Sequence, residues 1–398
     1  MGYREKELWM LLVPDYETQA RIEALRARLA ARGLRGALFT ARVDRFYLTG
    51  TAQEGILWVG VAGEPRLFVL RDVVRARSET FIEIVPVANW RELWARARDL
   101  VGAGEIGLPL DVIRAADLRH LGLTDLQAVT DVSADLLALR RRKSPWEIGR
   151  LEETGRVAAA VYRHAAEILQ PGMTEAEFAG RLFAQAMRLG HEGLHRSRGA
   201  FEAYSWHVLS GPNTARPGAV DTPMSGEGLS PAYPWGPGHR VIQRGEPVIV
   251  DFAISVFGYQ TDQTRTFCIG PTPDWLEDGH ARILEVYNAI VATLREGAIA
   301  GEVFARGEEA ARAQGLTGYL GRPGNRCRFV GHGVGLELVE PPLIALGVKE
   351  GLPLHSTLAI EPKAIIDGLG GFGVEDTVLL EPGGVRSLTS IPLELISV

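Results

Sequence analysis

An aspartate inside an apolar strand is the feature that most constrains how this chain can fold. Residues 246–270 read EPVIVDFAISVFGYQTDQTRTFCIG. Two runs rich in β-branched and aromatic residues, 246–252 and 262–268, predict strands joined by a turn over SVFGYQ. The first run carries Asp251 and the second begins with Asp262. A carboxylate buried in such a run costs several kcal/mol unless a cation or hydrogen-bond donors meet it.

The two carboxylates are placed so that they can act together. Because Asp262 lies on the return strand of the hairpin that carries Asp251, both side chains can converge on one point from neighbouring strands. Converging buried carboxylates repel each other unless they share a proton or a metal ion. For the hairpin alone, a solvated turn with one aspartate is the simpler interpretation, so the choice depends on the rest of the chain.

A histidine and two glutamates extend the pattern later in the chain. His332 stands between two glycines in GHGVGLE, where the backbone can approach a ligand closely. Glu361 lies in the apolar run LAIEPKAI, and Glu375 follows in GFGVEDTVLL on the predicted return strand. Four acidic residues on apolar strands and one histidine are an implausible amount of buried charge for a core without metal.

The chain is too long for one hydrophobic core, and the sequence predicts two domains. Alternating helix and strand patterns predict an α/β domain over residues 1–138. A charge run and a helix start, with Ser144 as cap and Pro145 in the first turn, mark a linker at 139–150. Residues 151–398 form the second domain, which contains all five residues of the acidic and histidine pattern.

Charge and hydropathy exclude several classes of partner. A net charge of -6 and a pI near 5.9 argue against nucleic acid or an anionic membrane surface. No apolar run reaches the roughly 18 residues of a membrane span, and the apolar part of the opening segment is short for a signal peptide. Cys268 and Cys327 are too few for a disulfide framework and indicate reduced thiols. We therefore expect a cytoplasmic protein.

Taken in order, these motifs resemble the pita-bread metallopeptidases. That family includes methionine aminopeptidase, aminopeptidase P and prolidase, with creatinase as a relative that uses no metal. The matching segments are VDFAISVFGYQTDQTRT, GHGVGLE, IEP and GVEDT, and the resemblance covers essentially the whole chain. It implies an α/β (α+β) fold class, in which an N-terminal mixed α/β domain precedes a C-terminal pita-bread catalytic domain similar to those of creatinase and the aminopeptidases.

The resemblance also implies the ligands of two divalent metal ions. Asp251 would be bidentate to the first ion, Asp262 and Glu375 would bridge both ions, and His332 and Glu361 would complete the second. A carboxylate-rich pocket with one imidazole suits manganese(II) or cobalt(II), with zinc as an alternative. Two such ions can hold a bridging water and polarise a peptide carbonyl. Glu361 would then be the catalytic residue that accepts a proton from this water.

The sequence departs from the pattern of the family it resembles at positions that usually contact the substrate. Prolidases usually carry histidines at the positions of Gly218 and Val339, and some carry an arginine near Leu343. The arginine usual two positions before the last glutamate is Gly373 here, and Lys363 stands where the family usually has glycine. No metal ligand is lost, so we interpret the site as remodelled in its substrate contacts.

Four residues are candidates to bind the substrate in place of the lost groups. Tyr204 and His207 lie in YSWHVLSGPN, and Arg216 lies on the Gly- and Pro-rich stretch 196–245, whose length is typical of a functional loop. The fourth is Lys363, one of only four lysines in the chain. Our first hypothesis is that Lys363 binds the C-terminal carboxylate of a dipeptide. Arg216 is the second, and a solvated surface position is the alternative for each residue.

The function implied by the resemblance is the hydrolysis of Xaa-Pro dipeptides by a prolidase-like, dinuclear-metal dipeptidase. As in its relatives, we expect a homodimer acting on small peptides, with residues 1–138 serving dimerisation or capping the site. Three alternatives stay open: an Xaa-Pro aminopeptidase that takes longer peptides, a creatinase-like hydrolase of non-peptide amides or amidines, and a scaffold that binds peptides without cleaving them. Retention of all five ligands favours an enzyme.

Overall fold

The computed structural model describes residues 12–101, 105–123, 125, 129–193, 195–199, 206–217, 221–322 and 324–398. These residues form two compact units that divide between Arg140 and Arg141, and residues 198–199 belong to the first unit. The division falls inside the segment 139–150 that the sequence predicts as a linker. Among the described helices, none is both long enough and apolar enough to cross a membrane.

The first unit is a mixed sheet with helices, as the α/β pattern predicts. Its strands are β1 (Gly36–Phe39), β2 (Gly55–Gly60), β3 (Arg66–Val69), β4 (Glu83–Pro86), β5 (Ile106–Leu108) and β6 (Thr130–Asp131), in the sheet order β4-β3-β2-β1-β5-β6. Its helices are α1 (Asp15–Ala31), α2 (Arg42–Thr49), α3 (Val73–Glu79), α4 (Trp90–Val101), α5 (Ala115–His120) and α6 (Ser133–Arg140). β1 pairs antiparallel with β2 and parallel with β5. One face of the sheet packs on α4 in a shared apolar core, which includes Leu38 of β1, Ile56 of β2 and Leu93 of α4.

The second unit combines four helices with two larger sheets and two hairpin-sized ones. The helices are α7 (Pro145–Ile168), α8 (Glu175–Arg188), α9 (Asp274–Val291) and α10 (Ala300–Ala313). The strands are β7 (His207–Ser210), β8 (Pro247–Val256), β9 (Tyr259–Cys268), β10 (Gly321–Arg322), β11 (Asn325–Arg326), β12 (Phe329–Gly333), β13 (Glu340–Ala345), β14 (Thr357–Ile360), β15 (Lys363–Ile366), β16 (Gly370–Gly373), β17 (Asp376–Glu381), β18 (Gly384–Ser387) and β19 (Ile396–Ser397). The sheet orders are β19-β9-β8-β7, β13-β12-β14-β17-β18, β15-β16 and β10-β11.

The predicted hairpin of residues 246–270 is present, with longer strands and a tighter turn than the sequence predicts. β8 and β9 pair from Pro247↔Cys268 to Val256↔Tyr259, so most of SVFGYQ continues the strands. The turn itself is Phe257 and Gly258, both with positive φ, which suits a two-residue hairpin. Every residue of both strands is buried, so Asp251 and Asp262 are core residues rather than parts of a solvated hairpin.

The strands that carry the glutamates are broken, whereas the sequence predicts two continuous strands over 355–366 and 372–381. β14 ends before Glu361-Pro362 and β15 begins after it, and the facing break between β16 and β17 contains Glu375. Because Pro362 has no N–H, it cannot continue the ladder. Glu375 instead exchanges backbone hydrogen bonds with Thr264, which joins the second sheet to β9.

The helices cover the two sheets of the second unit with separate cores. α7 and α8 pack on β8 and β9 through one apolar cluster, and α9 and α10 pack on the strands from β12 to β17 through another. The start of α7 confirms the predicted cap, because Ser144 and Glu147 form a capping box with Pro145 in the first turn. The acidic and histidine residues therefore lie where the two helix-covered sheets meet.

Candidate metal centre

Five strands or strand ends bring the acidic residues and the histidine together. Asp251 is on β8, Asp262 on β9 and His332 on β12, while Glu361 and Glu375 occupy the two strand breaks. All five side chains are buried. Ligand atoms of Asp262, His332 and Glu375 lie within 4.8 Å of one another. The convergence predicted from the sequence is therefore present in the structure, although the role of each residue as a ligand stays a prediction.

His332 presents one ring nitrogen to the carboxylates. Its Nδ1 lies 3.0 Å from the carbonyl oxygen of Gly333, which can only accept, so Nδ1 carries the proton. Its Nε2 faces Asp262 Oδ2 at 3.8 Å and Glu361 Oε1 at 3.7 Å. These separations are longer than hydrogen bonds and leave room for an ion between the three groups.

A lysine ammonium also lies inside the cluster. The Nζ atom of Lys363 lies 2.9 Å from Asp251 Oδ2, 2.8 Å from Glu361 Oε2 and 3.3 Å from Glu375 Oε2. The three protons of an ammonium are matched by these three acceptors. Lys363 is only 1% exposed. The sequence analysis proposes that its ammonium binds a substrate carboxylate, but in the structure the ammonium already has partners inside the protein.

The carboxylates differ strongly in how readily they ionise. Burial, together with the charges of Asp251 and Glu361, raises the pKa of Asp262 well above its usual range. Burial and the charge of Asp262 likewise raise the pKa of Glu375. Burial also acts to raise the pKa of Asp251, but the charge of Lys363 and its hydrogen bond outweigh it and the pKa is lowered. Ionising every carboxyl group of the cluster would thus create more negative charge than the single ammonium neutralises.

Two threonines and a buried ion pair hold the carboxylates in place. Thr264 Oγ1 donates to Glu375 Oε2 at 2.7 Å, and the Thr377 hydroxyl accepts from the Asp262 N–H and donates to its carbonyl, both at 2.8 Å. Arg265 is fully buried, donates to the Glu375 carbonyl and pairs with Asp376 at 2.9 Å. Our reading of the sequence missed this pair, although an arginine within the buried run QTDQTRT carries the same signal as Asp251.

The four candidate substrate residues have different surroundings. Tyr204 lies outside the described residues, as does Gly218. His207 is the cross-strand partner of Asp251, with Nδ1 3.9 Å from Asp251 Oδ2, and its buried Nε2 has no hydrogen-bond partner among the described residues. Burial lowers the pKa of His207, which favours the neutral ring. Arg216 is 55% exposed and pairs with Glu227 at 2.7 Å.

Comparisons with known proteins agree with the two-domain fold. Residues 149–382 match the metallopeptidase family M24, and residues 21–141 match the Creatinase/Prolidase N-terminal domain. The chain is 28% identical over 398 residues to the "Probable dipeptidase PepE" of Mycobacterium tuberculosis, covering 96% of this chain and 98% of that relative. It is 25% identical to the Xaa-Pro dipeptidase of Pyrococcus furiosus, covering 89% of this chain and 93% of that relative.

Solved structures give the same fold. The Xaa-Pro dipeptidase from Bacillus anthracis superposes with a TM-score of 0.81 at 24% identity, covering 96% of this chain and all of that one. The prolidase from Pyrococcus horikoshii superposes with a TM-score of 0.78 at 21% identity, covering 95% of this chain and all of that one. A creatinase-type N-terminal domain followed by a carboxylate and histidine cluster on paired strands defines a pita-bread metallopeptidase. The chain belongs to metallopeptidase family M24 and is a peptidase, as the sequence predicts.

The family implies divalent metal ions, and part of the cluster fits one. Asp262, His332 and Glu375 offer two carboxylates and an imidazole nitrogen within reach of a single ion, and Glu361 Oε1 adjoins them. Carboxylate and imidazole donors suit a divalent ion such as manganese(II). The rest of the predicted ligand set, around Asp251, is bonded to the ammonium of Lys363.

Proposed function

We propose that this peptidase is a metal-dependent Xaa-Pro dipeptidase, which cleaves the bond before a C-terminal proline. The observation that carries the proposal is the convergence of Asp251, Asp262, His332, Glu361 and Glu375 in one buried cluster. Support also comes from the relatives, several of which are named as dipeptidases or Xaa-Pro dipeptidases and align over most of the chain.

Asp262, His332 and Glu375 would hold a divalent ion, which would polarise the peptide carbonyl and lower the pKa of a bound water. Glu361 adjoins this position through Oε1 and is the proposed proton acceptor. The Thr264 hydroxyl would keep Glu375 oriented toward the ion. The version with two ions and a bridging water stays a prediction.

His207 is the best placed of the candidate substrate residues. Its ring lies beside Asp251, and its buried Nε2 lacks a partner among the described residues, so this atom is available to a substrate oxygen. In the neutral tautomer that carries its proton on Nε2, the ring can donate a hydrogen bond from Nε2 to a peptide carbonyl or carboxylate. Tyr204, three positions earlier in the chain, is kept as a second proposed contact.

Several finer properties belong to the same proposal. We favour manganese(II) or cobalt(II) over zinc because the donors are mostly carboxylate oxygens. We propose a homodimer in the cytoplasm, in which residues 1–138 contribute to the interface or cap the site. Sedimentation at low micromolar protein tests the dimer, and a monomer that keeps full activity would contradict it.

The test of function is a substrate panel. Xaa-Pro dipeptides, tripeptides with proline in the second position, and creatine are incubated with enzyme plus manganese, cobalt or zinc, with EDTA as the metal-free control. We expect hydrolysis of the dipeptides only, lost in EDTA and in Asp262→Ala and Glu375→Ala. Cleavage confined to longer peptides or to creatine, or near-normal turnover by either variant, would overturn the proposal.

A further inference from the structure

The position of Lys363 bears on how many metal ions the site can hold. The cluster has two sides: Asp251, with one oxygen each of Glu361 and Glu375, surrounds the ammonium of Lys363. Asp262 and the other Glu361 oxygen surround Nε2 of His332. The ammonium thus lies on one side of the cluster, and the space beside the imidazole lies on the other.

A metal ion and the ammonium cannot share the Asp251 side. Metal–oxygen bonds to carboxylates are about 2.0–2.2 Å long. An ion bonded to both Asp251 Oδ2 and Glu375 Oε2 would therefore lie in the gap between those oxygens, where Nζ is 2.9 Å from the first and 3.3 Å from the second. Two positive groups that close together would also repel each other in a buried site, where water screens charge poorly.

The backbone and stem of Lys363 are held, so the side chain has little freedom to withdraw. Lys363 is the cross-strand partner of Gly373 in the β15–β16 hairpin, and its carbonyl accepts a hydrogen bond from the Leu320 N–H at 2.9 Å. The stem lies against Gly373, in space that any side chain at that position would need. The residue is 1% exposed, so moving the ammonium to solvent would require this packing to open.

We infer that the Lys363 ammonium takes the place of one of the two ions, and that the chain binds a single divalent ion beside His332. The inference rests on the proposed function, since it specifies the metal content of that site. It makes Lys363 an internal counter-charge for Asp251, Glu361 and Glu375, and it leaves Asp262, His332 and Glu375 as the ligands that bind the remaining ion.

Metal stoichiometry tests the inference directly. The purified full chain is stripped with EDTA and titrated with manganese(II), and bound metal per chain is measured by equilibrium dialysis and mass spectrometry. Electron paramagnetic resonance then distinguishes isolated ions from spin-coupled pairs. We expect one ion per chain with an uncoupled spectrum for the wild type, and two ions with a coupled spectrum for Lys363→Gly. Lys349→Met, which removes an exposed lysine, is the matched control and should bind one ion.

The outcomes separate this inference from the proposed function. Two ions in the wild type, or one ion still in a folded Lys363→Gly, would overturn the inference whatever the activity. Lys363→Ala is the second variant if Lys363→Gly does not fold, as judged by circular dichroism, and the wild-type count decides by itself if neither folds. A wild type with one ion that cleaves no Xaa-Pro dipeptide would uphold the metal count and overturn the function instead.

Discussion

Lys363 and Gly373 face each other across the β15–β16 hairpin, and the lysine stem fills the space that a side chain on Gly373 would need. A Cβ atom added to Gly373 would lie 2.5 Å from Lys363 Cγ and 2.9 Å from both its Cα and Cβ. The family that the sequence resembles usually has glycine at the position of Lys363 and arginine at the position of Gly373. The two departures from the family pattern therefore lie at facing positions of one hairpin, where they are in direct contact.

This packing predicts that Gly373→Ala is destabilising while Lys363 is present. The new methyl group would overlap the lysine backbone and the base of its side chain, which cannot give way as a flexible tip would. We expect a loss of about 1–3 kcal/mol in the free energy of unfolding, measured in urea. Gly180→Ala is the control, because Gly180 lies in helix α8 with no described atom within 4 Å of an added Cβ, and alanine there should stabilise by about 0.5–1 kcal/mol.

A double variant tests whether the two positions are coupled. When Lys363→Gly is combined with Gly373→Ala, the overlap is gone, so most of the destabilisation caused by Gly373→Ala should disappear. The double-mutant cycle measures the coupling as the departure of the unfolding free energies from additivity, which for contacting residues is about 0.5–3 kcal/mol. Strictly additive effects would show that the two positions are not in contact.

The buried pair of Arg265 and Asp376 predicts a larger loss of stability. Arg265 is fully buried and donates to Asp376 and to the backbone carbonyls of Thr264, Glu375 and Ile391. Arg265→Met would leave Asp376 as an uncompensated buried charge, and we expect about 3–5 kcal/mol of destabilisation. The matched control is Arg282→Met, which breaks an exposed pair with Asp278 and should change the unfolding free energy by less than about 0.5 kcal/mol. Similar losses for both variants would contradict this account.

The raised pKa of Asp262 predicts how the metal-free protein responds to pH. Because the folded-state pKa lies above the unfolded value of about 3.9, the folded chain binds more protons than the unfolded chain between the two values. This contribution to stability is present at low pH and is lost as the pH rises through the folded-state pKa. In EDTA, Asp262→Asn should therefore lose less stability than the wild type between pH 5 and pH 8.

Urea unfolding at both pH values measures this difference. Asp278→Asn, which neutralises an exposed carboxylate on α9, is the control and should follow the wild type. Equal pH dependence in Asp262→Asn and the wild type would show that the Asp262 carboxyl is not held against ionisation. Adding manganese(II) should reduce the difference, since a bound ion stabilises the ionised carboxylate.

Local patterns in the sequence were sufficient for the α/β pattern of the first domain and for the buried acidic strands, whereas the fold of the second domain was implied by the resemblance. Apolar runs around Asp251 and Glu361 predict buried strands, and the charge in each run predicts a shared partner. The strand breaks at Glu361 and Glu375 were not predicted, because Pro362 signalled only a distortion of the pleat and apolar composition continues through both positions. Only the pairing of β14 with β17 and of β15 with β16 reveals where the ladder changes sheets.

The partner of Lys363 could not be predicted from the sequence for a related reason. Alternation along a strand places Glu361 and Lys363 on the same face, but it does not say whether the lysine points toward substrate or toward Asp251. That choice depends on contacts between residues more than 100 positions apart, since Lys363 meets Asp251 only through the approach of β8 to the β15–β16 hairpin. The burial of Arg265 was signalled by its run of sequence, but its pairing with Asp376 also depends on a contact between residues 111 positions apart.

The last prediction concerns which cationic side chain binds the C-terminal carboxylate of a dipeptide. Lys363 already has three carboxylate partners, whereas Arg216 is exposed and pairs only with Glu227 among the ion pairs of the described residues. An exposed pair of this kind is worth about 0.2–1 kcal/mol, so a substrate carboxylate can displace Glu227 at little cost. We therefore expect Arg216→Gln to raise the Michaelis constant for free Xaa-Pro dipeptides about tenfold, which is about 1.4 kcal/mol, and to leave amidated dipeptides unchanged.

Lys363→Met should affect free and amidated substrates equally, because its ammonium contacts the protein carboxylates and not the substrate. Steady-state kinetics on both substrate series decides the matter, with Arg282→Met as the control for loss of an exposed arginine. If Lys363→Met raised the Michaelis constant for free dipeptides only, and Arg216→Gln had no such effect, Lys363 would be the residue that binds the substrate carboxylate.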